Sequence, residues 1–196
     1  MSILPKKPTA VSANKMKILF VCSANICRSP TAEGIMRQLC PEAQIDSAGL
    51  CAYEGDAPDI YAVTCAARHG IDISGLRSRP VRADDFAVFD RILAMDADGA
   101  GYLELRRPQG DKRYLKAKIE NLAAYAGVSQ IPNPYGTDGF EAVYDLIEKA
   151  CREHFVVTLV FPILQERKRH ETEYLLEMLD NWCGQHQEKL EIVVND

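Results

Sequence analysis

Nine residues, Cys22-Ser23-Ala24-Asn25-Ile26-Cys27-Arg28-Ser29-Pro30, restrict what this chain can fold into more than any other stretch. They follow an apolar run, Met16-Lys17-Ile18-Leu19-Phe20-Val21, which reads as a buried strand. Beyond them, Ala32, Ile35, Met36 and Leu39 recur at the spacing of an amphipathic helix. Pro30 suits the first helical position, Ser29 the cap before it, and Glu33 the positive end of the helix dipole. A loop running from a strand into a helix N-terminus presents unpaired amides, and such amides favour an anion.

The residue types in the loop sharpen that expectation. A loop curled around a tetrahedral oxyanion aims the N–H groups of residues 23–28 inward as a nest. The Arg28 guanidinium grips two oxygens as a bidentate fork, which lysine does not reproduce. At the base, the amides, Arg28 and the dipole all favour the Cys22 thiolate, and thiols so placed ionise anywhere from about 3.5 to 7.5. Ser29 can donate its hydroxyl to the sulfur. The pattern is that of a nucleophile aimed at phosphorus. The plainer alternative is a buried structural cysteine beside a surface arginine.

Strands alternating with helices continue along the chain. Ala43–Ser47 reads as a second strand, and Asp59–His69 as a helix with Ile60, Val63, Thr64 and Ala67 aligned and Gly70 ending it. Arg91–Met95 reads as a third strand, and Asp96–Arg106 as a weaker helix interrupted by Gly99 and Gly101. Tyr114–Leu122 fits strand or helix by pattern alone. Val128–Gly139, with two prolines and two glycines, is a loop. Phe140, Val143, Tyr144, Ile147 and Cys151 mark another amphipathic helix. This order predicts a single α/β domain with a parallel sheet covered on both faces, and ligands in such folds bind beyond the carboxyl ends of the strands, where Cys22 falls.

Composition narrows the classes of partner. The net charge of −5 gives no footprint for nucleic acid or an anionic membrane. Seven cysteines, an odd number without framework spacing, fit a reducing compartment. Residues 1–15 lack the apolar core of a secretory signal and read as a flexible leader, so the expected location is cytoplasmic. The four histidines, at 69, 154, 170 and 186, show no ligand spacing; neither a metal nor a cofactor is expected. His69 reads as a helix-end residue.

The stretch V-C-S-A-N-I-C-R-S-P-T-A-E resembles the signature of low-molecular-weight protein tyrosine phosphatases. Further matches follow in order: Asp46-Ser47-Ala48-Gly49, His69-Gly70-Ile71-Asp72-Ile73-Ser74, Ser78-Arg79, Asp90 to Asp96, and Asn133-Pro134-Tyr135. The resemblance covers about residues 16–154, implies four strands, and favours Tyr114–Leu122 as the fourth. By that likeness Cys22 is the nucleophile and Arg28 with the amides of Ser23, Ala24, Asn25, Ile26 and Cys27 holds phosphate. Ser29 eases departure of the thiolate, Asn25 braces the loop in left-handed geometry, and Ser47 is its hydrogen-bond partner. Tyr53 and Tyr135 match aromatic positions flanking the pocket mouth, which implies a phosphotyrosine-bearing protein or a small aryl phosphate as substrate. A reversible Cys22–Cys27 disulfide is implied in the same way, with Cys27 as a small buried filler the other reading.

One position departs from the pattern. The family carries Asp-Pro-Tyr, its Asp the general acid and then the base, whereas this chain has Asn133-Pro134-Tyr135. An amide has no acidic proton to give. Such help is worth about 10²–10⁴ in rate, so a slow phosphomonoesterase is expected. A non-enzymatic phosphotyrosine or phosphate binder stays open, as does an arsenate reductase, although Cys40, Cys51, Cys65, Cys151 and Cys183 lack the paired spacing such a relay uses. Asp138 is the acid nearest Asn133 in sequence. Residues 155–196 lie beyond the likeness and read as a C-terminal extension. Phe155–Val160 suits a strand, and Leu175, Met178, Leu179 and Trp182 recur at helical spacing. That helix either packs on the domain or serves self-association or a partner.

Overall fold

The computed structural model describes residues 16–160. Strand β1, Lys17–Cys22, forms from the apolar run and lies inside a four-stranded sheet. Its neighbours are β2, Gln44–Gly49, and β3, Arg91–Ala94; β4, Lys118–Asn121, completes the order β2-β1-β3-β4. Every pairing is parallel, with Cys22 opposite Gly49 and Val21 opposite Ala94. An inner parallel strand is buried on both sides, which is why β1 is apolar throughout rather than alternating.

Successive side chains of β1 point to opposite faces. Leu19 and Val21 join Phe86, Phe89, Ile92 and Leu103 in one cluster. This face is covered by α3, Asp85–Val88, and α4, Ala97–Arg106, which packs on β3 and β4. Opposite it lie α1, Arg28–Leu39, and α5, Phe140–Phe155, which pack on each other, with α2, Ile60–Arg68, against both. The expected stripe of α1 (Ala32, Ile35, Met36, Leu39) is buried, as is that of α5 (Val143, Tyr144, Ile147, Cys151) except for Phe140 at its start, which is half-buried. Each such large apolar side chain contributes roughly 1.5–3 kcal/mol by leaving water. Gly70 ends α2 at φ 76, with the Ile71 N–H returning to the Ala66 carbonyl at 2.9 Å.

Three readings are corrected. The fourth strand is Lys118–Asn121, not Tyr114–Leu122, because Lys112–Leu115 turns into a 3₁₀ helix that the Asp111 carboxylate caps through the Arg113 N–H at 2.9 Å. The Arg107 guanidinium also donates to the Tyr114 and Ala117 carbonyls, which a ladder would otherwise engage. The buried face of α2 is Ala62, Cys65 and Ala66, while Ile60 is 67% exposed. Both stripes obey the helical period, and the smaller side chains are the ones that admit close approach by α1 and α5. The chain divides after Phe155; Val156–Val160, taken by itself, is a π-helical turn rather than a strand. No Gly or Pro interrupts the sequence there, so β-branched composition alone misread it. The leader and the Leu175–Trp182 stripe lie outside the described residues. Among the described residues no helix is long and apolar enough to cross a membrane.

Gly34 shows how tightly α1 is seated. A Cβ there would stand 2.6 Å from Ile73 Cγ2 and 2.7 Å from Ile71 Cγ2, both on stiff β-branched side chains. Alanine gains about 1 kcal/mol over glycine in helix propensity, but overpacking costs about 1–3 kcal/mol. Gly34→Ala is expected to lower stability by about 1 kcal/mol, read as a lower midpoint of urea unfolding at unchanged m-value.

Candidate active site

The loop after β1 is laid down by its neighbours. The Leu50 and Cys51 N–H groups donate to the Cys22 and Ser23 carbonyls, each at 2.9 Å. Gly49 makes this approach possible, since a Cβ there would stand 2.7 Å from the Ser23 carbonyl oxygen. The chain then reverses at Asn25, whose φ of 58 makes it the non-glycine residue of positive φ among those described. Asparagine tolerates that geometry better than most residues. Its side chain, 2% exposed, fastens the turn: Nδ2 donates to Ser29 Oγ at 2.9 Å and Ser47 Oγ at 2.8 Å, and Oδ1 accepts the Arg79 N–H at 2.9 Å.

Cys22 lies at the floor of this turn. Its sulfur accepts the Asn25 N–H at 3.3 Å and lies 3.1 Å from Ser29 Oγ. Ser29 is also 3.3 Å from the Ala48 carbonyl, so its single hydroxyl proton serves the sulfur or that oxygen, but not both at once. The helix begins at Arg28, earlier than expected, and Cys27 occupies the cap position without a side-chain cap bond. Ser29 is therefore no N-cap: its hydroxyl is committed to Cys22 and Asn25. Among the described residues, the N–H groups of Ser23, Ala24, Ile26, Cys27 and Arg28 meet no protein acceptor. Unpartnered amides in a turn that leads into a helix N-terminus are the groups an anion favours.

Arg28 is buried and spans from this loop to the next. Nη2 donates to Ser23 Oγ at 3.3 Å, and Nη1 to the Ile131 carbonyl at 3.0 Å. Asn133 and Tyr135 follow on the segment so anchored. Asn133 is exposed, and its Oδ1 accepts the Tyr135 N–H at 3.3 Å, a local turn. Asp138 is likewise exposed. Tyr135 is 61% and Tyr53 83% exposed. The two rings rise from separate loops, that of Tyr53 tied down where Ser78 Oγ donates to its carbonyl at 2.6 Å. Cys22, Asn25, Ser29 and Ser47 thus form one hydrogen-bonded set and Ser23 with Arg28 a second; Tyr53 is held through Ser78, and Asn133 and Tyr135 follow the Ile131 carbonyl that Arg28 engages. Cys27 is a buried free thiol, which burial pushes up to about 12.

Two supporting side chains, Arg79 and Glu33, brace the loop from behind in ways not expected from the sequence. Arg79 holds Asp46 (2.8 Å) and Asp85 (3.0 Å) while its amide braces Asn25. Glu33, placed by sequence near the dipole's positive end, is instead 2% exposed beneath the loop, accepting from Ser47 Oγ at 2.5 Å and pairing with Arg37 at 2.5 Å. The signal for it was position: residue 33 directly follows Ala32 on the buried side of α1, where an acid needs partners.

Burial raises the Glu33 carboxyl above its ordinary 4.5, against the opposing pull of Ser47 and Arg37. The folded state therefore holds a proton that the unfolded state has already lost, and stability falls as pH rises through that raised value. Wild type is expected to lose stability relative to Glu33→Gln as pH rises from the ordinary carboxylate range through the raised one. Denaturant midpoints measured across pH check this; parallel profiles contradict it.

The sequence profile of the family described as low molecular weight phosphotyrosine protein phosphatase matches residues 17–169, running past the 154 that the resemblance reached. The low molecular weight phosphotyrosine protein phosphatase of Homo sapiens is 41% identical over 146 residues, covering 69% of this chain and 90% of that protein. The Gallus gallus protein of the same name is 39% identical over 154 residues, 72% of this chain and 96% of its own. Among solved structures, a protein tyrosine phosphatase from Entamoeba histolytica superposes with a TM-score of 0.65 at 34% identity, covering 72% of this chain and 96% of that one. Wzb from Vibrio vulnificus, solved with benzylphosphonate, gives 0.63 at 29% identity over 70% and 94%. With profile, relatives and fold in agreement, this chain belongs to the low molecular weight phosphotyrosine protein phosphatase family.

Proposed function

We propose that the chain is a phosphomonoesterase acting on phosphotyrosine or small aryl phosphates through a phosphocysteine at Cys22, slowed by Asn133. The observation that carries this is the set of five unpartnered amides in the short turn that folds over the Cys22 sulfur. A phosphate seated there has its non-bridging oxygens toward the amides and the Arg28 fork, and its phosphorus over the sulfur. Sulfur attack forms the S–P bond as the ester P–O bond breaks, and the aryl oxygen leaves with the electron pair. Water then attacks phosphorus, the S–P bond breaks, and the thiolate leaves with help from the Ser29 hydroxyl 3.1 Å away. Tyr53 and Tyr135, exposed at the rim, are suited to flank an aromatic ring.

Neither proton in this cycle can come from Asn133. The leaving oxygen takes its proton from solvent, and the attacking water gives one up without a positioned base. A second reading rests on the same amide: a protein that captures phosphate esters without turning them over.

Hydrolysis of p-nitrophenyl phosphate by the chain as written, by Cys22→Ser and by Asn133→Asp distinguishes these. Cys22→Ser is expected to abolish turnover, and Asn133→Asp to raise kcat at least tenfold and up to about 10²–10⁴. The gain should be larger with phosphotyrosine, whose leaving group is poorer. Activity surviving in Cys22→Ser overturns the proposal; no gain in Asn133→Asp favours the binding protein.

A further inference from the structure

The junction of α2 and α5 gathers three ligand types that neither the capture of phosphate nor its transfer uses. Cys65 and His69 stand four residues apart on one face of α2 and its end, the spacing by which two side chains of a helix share a ligand. Glu141, in the first turn of α5, lies opposite them. The Cys65 sulfur, a His69 ring nitrogen and a Glu141 carboxylate oxygen all lie within 4.8 Å of one another. His69 Nε2 is 2.9 Å from Glu141 Oε2, which places the Cys65 sulfur beside an existing imidazole–carboxylate contact. Sequence spacing alone missed this set, because its third member comes from a helix 72 positions away.

We propose that Cys65, His69 and Glu141 form a binding site for a zinc-class divalent cation. One thiolate, one imidazole and one carboxylate are the donors such ions take, and three protein ligands leave a fourth tetrahedral position for water. Bond lengths of about 2.3 Å to sulfur and about 2.0–2.2 Å to nitrogen and oxygen fit donors already this close, with small side-chain rotations. On binding, the cation replaces the Cys65 thiol proton, and any proton shared between His69 and Glu141, both released to solvent.

The surroundings fix the donors in place. The His69 ring stacks on Tyr144 with centroids 3.9 Å apart and planes 13° apart. Arg68 Nη1 holds the other carboxylate oxygen, Glu141 Oε1, at 2.7 Å, so Oε2 stays aimed at His69. Cys65 is buried, while His69 and Glu141 lie at the surface, giving an ion a way in. Cys65 and Tyr144 also line a small cleft together with Cys27, Arg28 and Pro134.

The test uses the full, untagged chain in a Cys22→Ser background, so that the loop thiol does not bind metal itself. Co²⁺ titration is expected to raise a near-ultraviolet thiolate-to-cobalt charge-transfer band saturating at one ion per chain, which Zn²⁺ bleaches. Cys65→Ala should remove the band. His69→Gln and Glu141→Gln should each weaken Co²⁺ binding at least tenfold. Absence of the band, or its survival in Cys65→Ala, overturns the site. Should Cys65→Ala fail to fold, His69→Gln decides, and undiminished affinity there overturns it equally. A Zn²⁺-induced rise in Tm that disappears in His69→Gln supports the site; equal Tm values with Zn²⁺ and with chelator reduce the cluster to a helix-end ion pair.

Discussion

Asn25 is the residue on which the phosphate loop hangs. Its left-handed backbone turns the chain so that its own N–H points at the Cys22 sulfur, and its side chain ties the turn to α1 through Ser29, to β2 through Ser47 and to the Arg79 segment. A residue at φ 58 costs free energy unless its surroundings over-determine it, and here three side-chain hydrogen bonds do so. Those partners are in turn fixed from behind: Ser47 donates to buried Glu33, and Arg79 is held by Asp46 and Asp85. The shape of the loop is thus set by a polar network beneath it. Apart from that of Asn25, the amides of residues 23–28 stay unspent.

The position of that loop follows from chain topology. β1 is an inner parallel strand, and its carboxyl end opens beside Gly49 of β2, the one residue type that leaves room for the Ser23 carbonyl. α1 then carries the chain back over the sheet, and its burial nearly all round in the first two turns explains why Ser29, Glu33 and Gly34 are constrained so closely. The same elements divide the chemistry. In the proposed chemistry the groups that would hold phosphate and present sulfur lie on the loop after β1 and on its neighbours. Asn133 sits exposed on a separate loop joined to them through the Arg28–Ile131 hydrogen bond.

Much of this was legible in the residues. The apolar run of β1, the stripes of α1 and α5, the Gly70 stop and the proline-rich loop before α5 are strong local signals, and the loop's chemistry follows from Cys22, Asn25 and Arg28 themselves. What was not legible depended on partners distant in sequence. The fourth strand shortened because Arg107 claims carbonyls at 114 and 117. The phase of α2 was ambiguous because two stripes share one period, and only packing against α1 and α5 selects Ala62, Cys65 and Ala66. Ser29 looked like a cap until the sulfur and Asn25 took its hydroxyl. The setting of Glu33 emerges only when β2 brings Ser47 against α1, and the Cys65–His69–Glu141 cluster only when α2 meets α5.

The proposed chemistry requires that phosphorus become bonded to one particular sulfur. The most direct measurement is acid quench of the chain during reaction with an aryl phosphate, followed by peptide mapping for phosphate on cysteine. A covalent phosphate on Cys22, formed within the first turnover and drained as inorganic phosphate appears, is the predicted result. Hydrolysis proceeding at the same rate with no adduct on Cys22, or with the adduct on another residue, contradicts it.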